Sequence, residues 1–205
     1  MQYRKTSRLA LLLLGLAVTV AACSDSSSPR RSPVEPGAMQ GPGGAGGMGS
    51  GMGGMGMGMG MAVASEFDYL AQMIPHHEEA VFTANLLARG TDRQEMRDFA
   101  ATIIRTQTAE IEQMRSWLAA WYPGRDTTVN YRPMMRDLSG LNGDALDRAF
   151  LQDMIPHHMM AVMMSQQLIA ASYARHEDVI PFAQNIRDVQ RAEIHMMQRW
   201  LAAWF

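Results

Sequence analysis

The chain contains an approximate copy of itself. MIPHHEEAV at residues 73–81 returns as MIPHHMMAV at 154–162, and QTAEIEQMRSWLAAWY at 107–122 returns as QRAEIHMMQRWLAAWF at 190–205. A duplicated pair of segments narrows the choice of folds, because each half must be one supersecondary unit that buries its apolar face against the other. Both segments have the period of an α-helix. In the first, Phe67, Leu70, Ile74, His77, Val81, Ala84 and Ala88 recur at steps of three and four, which lines one side of a helix. Ser65 with Asp68 makes a weak capping box, Gly90 a natural stop, and Thr91 with Gln94 a cap for a second helix that Pro123-Gly124 ends. The pattern resumes from Asp144 to Ala174 and from Asp178 to the C-terminus.

The sequence therefore predicts an all-α domain over residues 65–205, with repeats at 65–122 and 144–205. Two short turns and one long connection containing Pro133, Gly140 and Gly143 favour a ferritin-like four-helix bundle over an up-and-down one, since a crossover must travel the length of the bundle. Pro75 and Pro156 interrupt the pattern. Each either kinks its helix or begins it.

Ahead of this domain the composition differs. Arg4, Lys5 and Arg8 precede an apolar run from Leu9 to Val20, then Ala21, Ala22 and Cys23, the layout of a signal peptide over residues 1–22. The run is too short to span a bilayer stably. VAAC at 20–23 resembles a bacterial lipoprotein signal box, which implies cleavage before Cys23, lipidation of its sulfur and an exported protein held at the cell envelope. The remaining reading is a plain signal peptide with an incidental cysteine. Because Cys23 is the only cysteine, disulfides within the chain and zinc sites built from several thiolates are excluded. Residues 23–64, almost purely Gly and Met from Gly37 to Met61, have little to bury and are expected to be a flexible tether. Its thioethers either capture a soft ion or are a compositional accident. A net charge of −2 points to neither nucleic acid nor an anionic membrane surface, so any membrane contact is through the lipid alone.

Within the domain, polar residues fall where apolar ones belong. At about 100° per residue, Met73, His76 and His77 form one patch over a single turn beside the small Ala80. Met154, His157, His158 and Ala161 reproduce it, with Met160 and Met164 on the His157 side. On the second helix of each half, Gln107 and Glu110 share a stripe with Ile103, Met114, Trp117 and Trp121, and Gln190 and Glu193 share one with Ile186, Met197, Trp200 and Trp204. Amides and carboxylates placed inward need partners, since an unsatisfied buried polar group costs about 1–3 kcal/mol. The facing histidines are the obvious ones. Imidazole is the commonest metal ligand near neutral pH, and its second nitrogen needs an orienting acceptor, a role open to Glu110 and Glu193. His195, Met159 and Met163 point outward, the two methionines as surface thioethers or contacts to another chain, a homo-oligomer being one such case.

Mixed imidazole and thioether donors favour copper, Cu(I) above all, with silver beside it. The expected role is sequestration or buffering without turnover. A di-iron or di-manganese oxidoreductase is the alternative, but that chemistry draws on several carboxylates and Glu-x-x-His pairs, and no inward Glu-x-x-His occurs. A hydrogen-bonded histidine network in a nonmetal scaffold or dimerisation module is the third reading.

The duplicated M-I-P-H-H and Q-x-x-E-I-x-x-M-x-x-W-L motifs resemble the family catalogued as domain of unknown function 305, a ferritin-like helical group of secreted bacterial proteins. The resemblance covers Ser65 to Phe205. It implies a copper-binding role in the cell envelope for Met73, His76, His77, Met154, His157 and His158.

Overall fold

The computed structural model describes residues 62–205. The segment expected to be a signal peptide, Cys23 and most of the expected Gly/Met tether lie outside them. The described part is all-α, with helices α1 (Glu66–Gly90), α2 (Gln94–Trp121), α3 (Gly143–Ala170) and α4 (Val179–Trp204). None of these helices is long and apolar enough to cross a membrane.

Local chemistry accounts for most of the boundaries. The Ser65 hydroxyl accepts the amide of Asp68, and Glu66 and Asp68 place negative charge in the first turn of α1, where the helix dipole favours it. The predicted Thr91/Gln94 cap does not form. Thr91 accepts instead from the amide of Arg93, which is itself the N-cap of α2 and makes no side-chain cap bond. Helix α3 stops at Ala170, short of the expected Ala174. Ser172 turns to φ 55°, the Tyr173 amide reaches Leu168 O and the Ser172 amide reaches Ile169 O, a Schellman ending in which serine occupies the place glycine usually takes. Pro75 and Pro156 lie inside α1 and α3, so both helices run through their prolines rather than beginning at them.

Side-chain contacts fix the arrangement. Tyr69 meets Ser165 and His76 stacks on His157, so α1 and α3 run antiparallel. Glu110 holds His77 and Glu193 holds His158, pinning α2 on α1 and α4 on α3. Trp117 packs edge-on against Phe182 and Phe99 against Trp200, closing α2 on α4. The connection at 122–142 is not slack: Met135 and Leu138 are buried in the core, and Arg136 pairs with Asp153.

Two clamps join the halves at their ends. Glu66, fully buried at the start of α1, accepts from the amides of Arg175 and His176, from His176 Nδ1 and from the Tyr122 hydroxyl. The His176 ring stacks on Trp121, centroids 3.8 Å apart. The repeat generates the counterpart: buried Asp147 accepts from Arg93, whose guanidinium lies 4.8 Å from the centre of the Trp204 ring. Each half's hairpin turn thus grips the first helix of the other half.

Candidate metal centre

Between the clamps, the core is divided by a polar layer. One apolar cluster contains Leu70, Met73, Met114, Ala161 and Met164, and the other Ala80, Ile103, Met154, Ile194 and Met197. His76, His77, His157 and His158 lie at the divide, each no more than 1% exposed. The four imidazoles predicted to face inward do so. Met73, Met154, Met114, Met197 and Met164 are buried as well, and Met160 is partly buried. His195 is exposed, as are Met159 at 47% and Met163 at 54%.

The carboxylates determine which nitrogen of two rings is free. Glu110 Oε2 lies 2.9 Å from His77 Nε2, and Glu193 Oε2 lies 2.7 Å from His158 Nε2. An ionised carboxylate only accepts, so Nε2 carries the proton in both rings. Nδ1 is then a lone pair in each neutral ring, and the Nδ1 atoms of His77 and His158 are buried with no hydrogen-bond partner. A carboxylate that orients an imidazole in this way is the usual support of a metal-binding histidine.

His76 and His157 stack on one another across α1 and α3, with ring centroids 3.7 Å apart and planes tilted by 32°. Burial holds the His76 imidazole well below its ordinary pKa, and the neighbouring His157, His77 and His158 push the same way. Burial also lowers that of His157, with the Glu79 carboxylate opposing. Both rings are therefore neutral at physiological pH and able to donate lone pairs. Both nitrogens of each lack a hydrogen-bond partner, as do Gln107 Oε1 and Gln190 Oε1. At about 1–3 kcal/mol for each unsatisfied group, this concentration of orphaned donors and acceptors is costly unless a ligand uses it. Imidazole nitrogens and thioethers in one layer fit copper or another soft cation. Among the described residues, no three His, Cys, Asp or Glu side chains converge on one point, and the buried thioethers beside the imidazoles are further soft donors.

Two participants were not among the site residues expected from the sequence. Glu79 reaches from α1 to within 3.3 Å of His157 Nε2, although without hydrogen-bond geometry. It also accepts from the Tyr131 hydroxyl and from the amides of Met134 and Met135. Tyr131 packs edge-on against His76. No periodicity could have revealed Tyr131, which the crossover delivers; Glu79 was visible only as the residue standing where the repeat has Met160.

The profile of the domain of unknown function DUF305 matches residues 66–201. The chain belongs to this family. None of the curated proteins is significantly similar to the chain, but several solved structures are. CopM in its Cu(I)-bound form is 29% identical, with a TM-score of 0.61 over 69% of this chain and 98% of CopM. The Cu(II)-bound and silver-bound forms of CopM align over the same shares. A DUF305 fragment from Deinococcus radiodurans is 27% identical, with a TM-score of 0.60 over 69% of this chain and 98% of the fragment. A DUF305 protein from Streptomyces coelicolor is 25% identical, with a TM-score of 0.60 over 69% and 95% of the two chains.

Proposed function

We propose that this protein binds and buffers copper, and silver as a chemical analogue, in the histidine and methionine layer of its bundle. The observation carrying this reading is the buried set of four imidazoles, two of them oriented through Nε2 by Glu110 and Glu193 with Nδ1 left without a partner. Met73, His76 and His77 would supply donors from one half, and Met154, His157 and His158 from the other. Gln107, Met114, Met160, Met164, Gln190 and Met197, which share the inward stripes with them, would orient these ligands or add to them. Thioethers favour Cu(I) over harder ions. Similarity to CopM, whose structures carry Cu(I), Cu(II) and silver, supports the metal class.

No residue is assigned a catalytic role, and the protein acts by affinity. Residues 1–22 direct export and Cys23 carries a lipid, so that copper is met in the cell envelope, with the Gly/Met segment as a tether. The test is anaerobic Cu(I) titration against a competing chelator, with metal content measured on the purified chain. The parent takes up Cu(I) tightly, and a variant with His76, His77, His157 and His158 changed to Asn loses it while keeping its helical circular dichroism. Equal uptake by the folded variant refutes the assignment. Stoichiometric iron with oxygen consumption would replace it with the oxidoreductase reading.

A further inference from the structure

The crossover covers one side of the bundle and leaves the opposite side open. On the α1–α3 side Tyr131 lies against His76, the Thr83 hydroxyl meets the sulfur of Met135, and Arg136 pairs with Asp153. On the α2–α4 side the two helices meet through aromatic rings, Trp117 with Phe182 at 4.9 Å and Phe99 with Trp200 at 5.6 Å between centroids. A step of seven residues from these rings gives Phe99, Thr106, Gln113 and Ala120 on α2, and Phe182, Val189, Met196 and Ala203 on α4. Seven residues are close to two helical turns, so each series stays on the side that its ring marks. Gln113, Ala120, Val189 and Ala203 are exposed, Val189 to 41%, while Thr106 and Met196 are partly buried.

Charge avoids this side. Arg105 and Glu112 on α2 and Asp188 and Arg191 on α4 are exposed, and each projects about 100° or more from the nearest member of its series. The carboxylates closest to the series, Glu110 and Glu193, are turned to His77 and His158, and Arg199 stands at one edge. A helix side that faces water normally carries charge, whereas the centre of a protein interface is depleted of it.

The duplication says what fits there. Because α4 repeats α2, the side presents two nearly equivalent stripes, and a second chain turned by half a revolution meets them with the same two stripes. That is an isologous contact, in which every pair of residues occurs twice. Some 30 Å of two helices, each about 10 Å wide, offers roughly 600 Å² per chain, or roughly 1,200 Å² in total, the size at which specific dimers begin.

We propose that the α2–α4 side is the interface of a homodimer, in which two chains pack α2 and α4 across a twofold axis with Val189 and Met196 near its centre. Pairing also covers the side chains of Glu110 and Glu193, which keep 17% and 13% exposure in the single chain. The second chain thereby closes the histidine layer on this side as the crossover closes it on the other. The inference does not depend on the copper reading.

The test is the mass of the full chain in solution, by analytical ultracentrifugation over a dilution series, with tryptophan emission followed in parallel because Trp117 and Trp200 border the contact. The parent sediments as two chains from the micromolar range upward, and its emission shifts to the red on dilution. Val189→Glu brings like charges together across the axis and weakens the dimer at least about a hundredfold, while the circular dichroism stays helical. Gln113→Lys acts by the same route from α2 and stands in should Val189→Glu fail to fold. Met163→Glu, on the outward face of α3 where Met163 is 54% exposed, leaves the parent mass unchanged. A parent that is monomeric throughout, a dimer that survives both interface substitutions, or one that Met163→Glu breaks equally overturns the inference.

Discussion

Replacing Glu66 with glutamine tests whether the end clamps hold the halves together. The carboxylate is fully buried and takes four hydrogen bonds: Arg175 N at 2.5 Å, His176 N at 2.9 Å, His176 Nδ1 at 2.6 Å and the Tyr122 hydroxyl at 2.8 Å. Burial by itself would raise its pKa, but these bonds outweigh it and hold the group below its ordinary value, while the Tyr122 phenol is pushed up to about 12. Glutamine can keep one oxygen on the two backbone amides only by turning its NH2 toward His176 and Tyr122, which must then become acceptors. Each bond falls from the charge-assisted range of about 1.5–3 kcal/mol to the neutral range of about 0.5–1.5, so the substitution costs on the order of 3 kcal/mol at pH 7. The sign with pH follows from the lowered pKa. The contribution of Glu66 is complete above the unfolded value of about 4.3 and is lost as pH falls through the folded value. Urea unfolding at stepped pH, followed by circular dichroism and by the fluorescence of Trp121 against His176, measures both effects. The parent and Glu66→Gln curves should lie about 3 kcal/mol apart at pH 7 and converge in acid. A gap under about 1 kcal/mol at pH 7, or a gap that persists unchanged in acid, would refute the reasoning.

Three further outcomes follow from local geometry. A Cβ at Gly90 would sit 2.6 Å from Leu146 Cδ2 and 3.2 Å from Asn142 Oδ1, so Gly90→Ala should lower stability by about 1–2 kcal/mol, read as a fall in melting temperature. Ser172→Gly should raise stability by about 0.5–1 kcal/mol, because serine at φ 55° bears the left-handed strain that glycine avoids. Arg93→Met should cost about 3–5 kcal/mol at neutral pH in denaturant unfolding, since it strands the buried Asp147 carboxylate as an uncompensated charge.

The duplication made the helices and their inward faces legible. Four helices, the burial of the histidines and the use of Glu110 and Glu193 as acceptors for histidines of the facing helix all follow from a period of 3.6 applied to repeated motifs; which histidine each carboxylate takes, His77 or His158 rather than its neighbour, does not. What stayed hidden depends on residues that periodicity does not place. Ser172 ends α3 without the glycine that would have announced it. Glu66 lies in a first turn, where a carboxylate reads as a dipole partner, and its burial becomes apparent only once the turn at Arg175 and His176 folds over it. Tyr131 sits in the crossover, whose path is set by tertiary contacts to Glu79 and Asp153. Helical phase also ranked Gln107 and Glu110 alike, yet Gln107 is 3% exposed while the Glu110 side chain keeps 17%. The reason is that Glu110 is long enough to reach His77 from the rim of the stripe.

The placement of stability and chemistry in this bundle is itself an argument about function. The middle layer contains neutral, stacked and partly orphaned imidazoles, each unsatisfied group a cost of about 1–3 kcal/mol, and two apolar clusters that it keeps apart. A core selected only for stability would fill this layer with leucine, as buried polar networks are often neutral or unfavourable beside well-packed apolar side chains. The compensation lies at the ends, where Glu66 and Asp147 tie each hairpin turn to the opposite half and aromatic rings close around the ties. Clamps at both ends hold α1 against α3 whether or not the middle layer is satisfied. The four imidazoles are thus held in one buried layer by contacts outside it, and on the copper reading proposed above binding need not supply the entropy of bringing the two halves together.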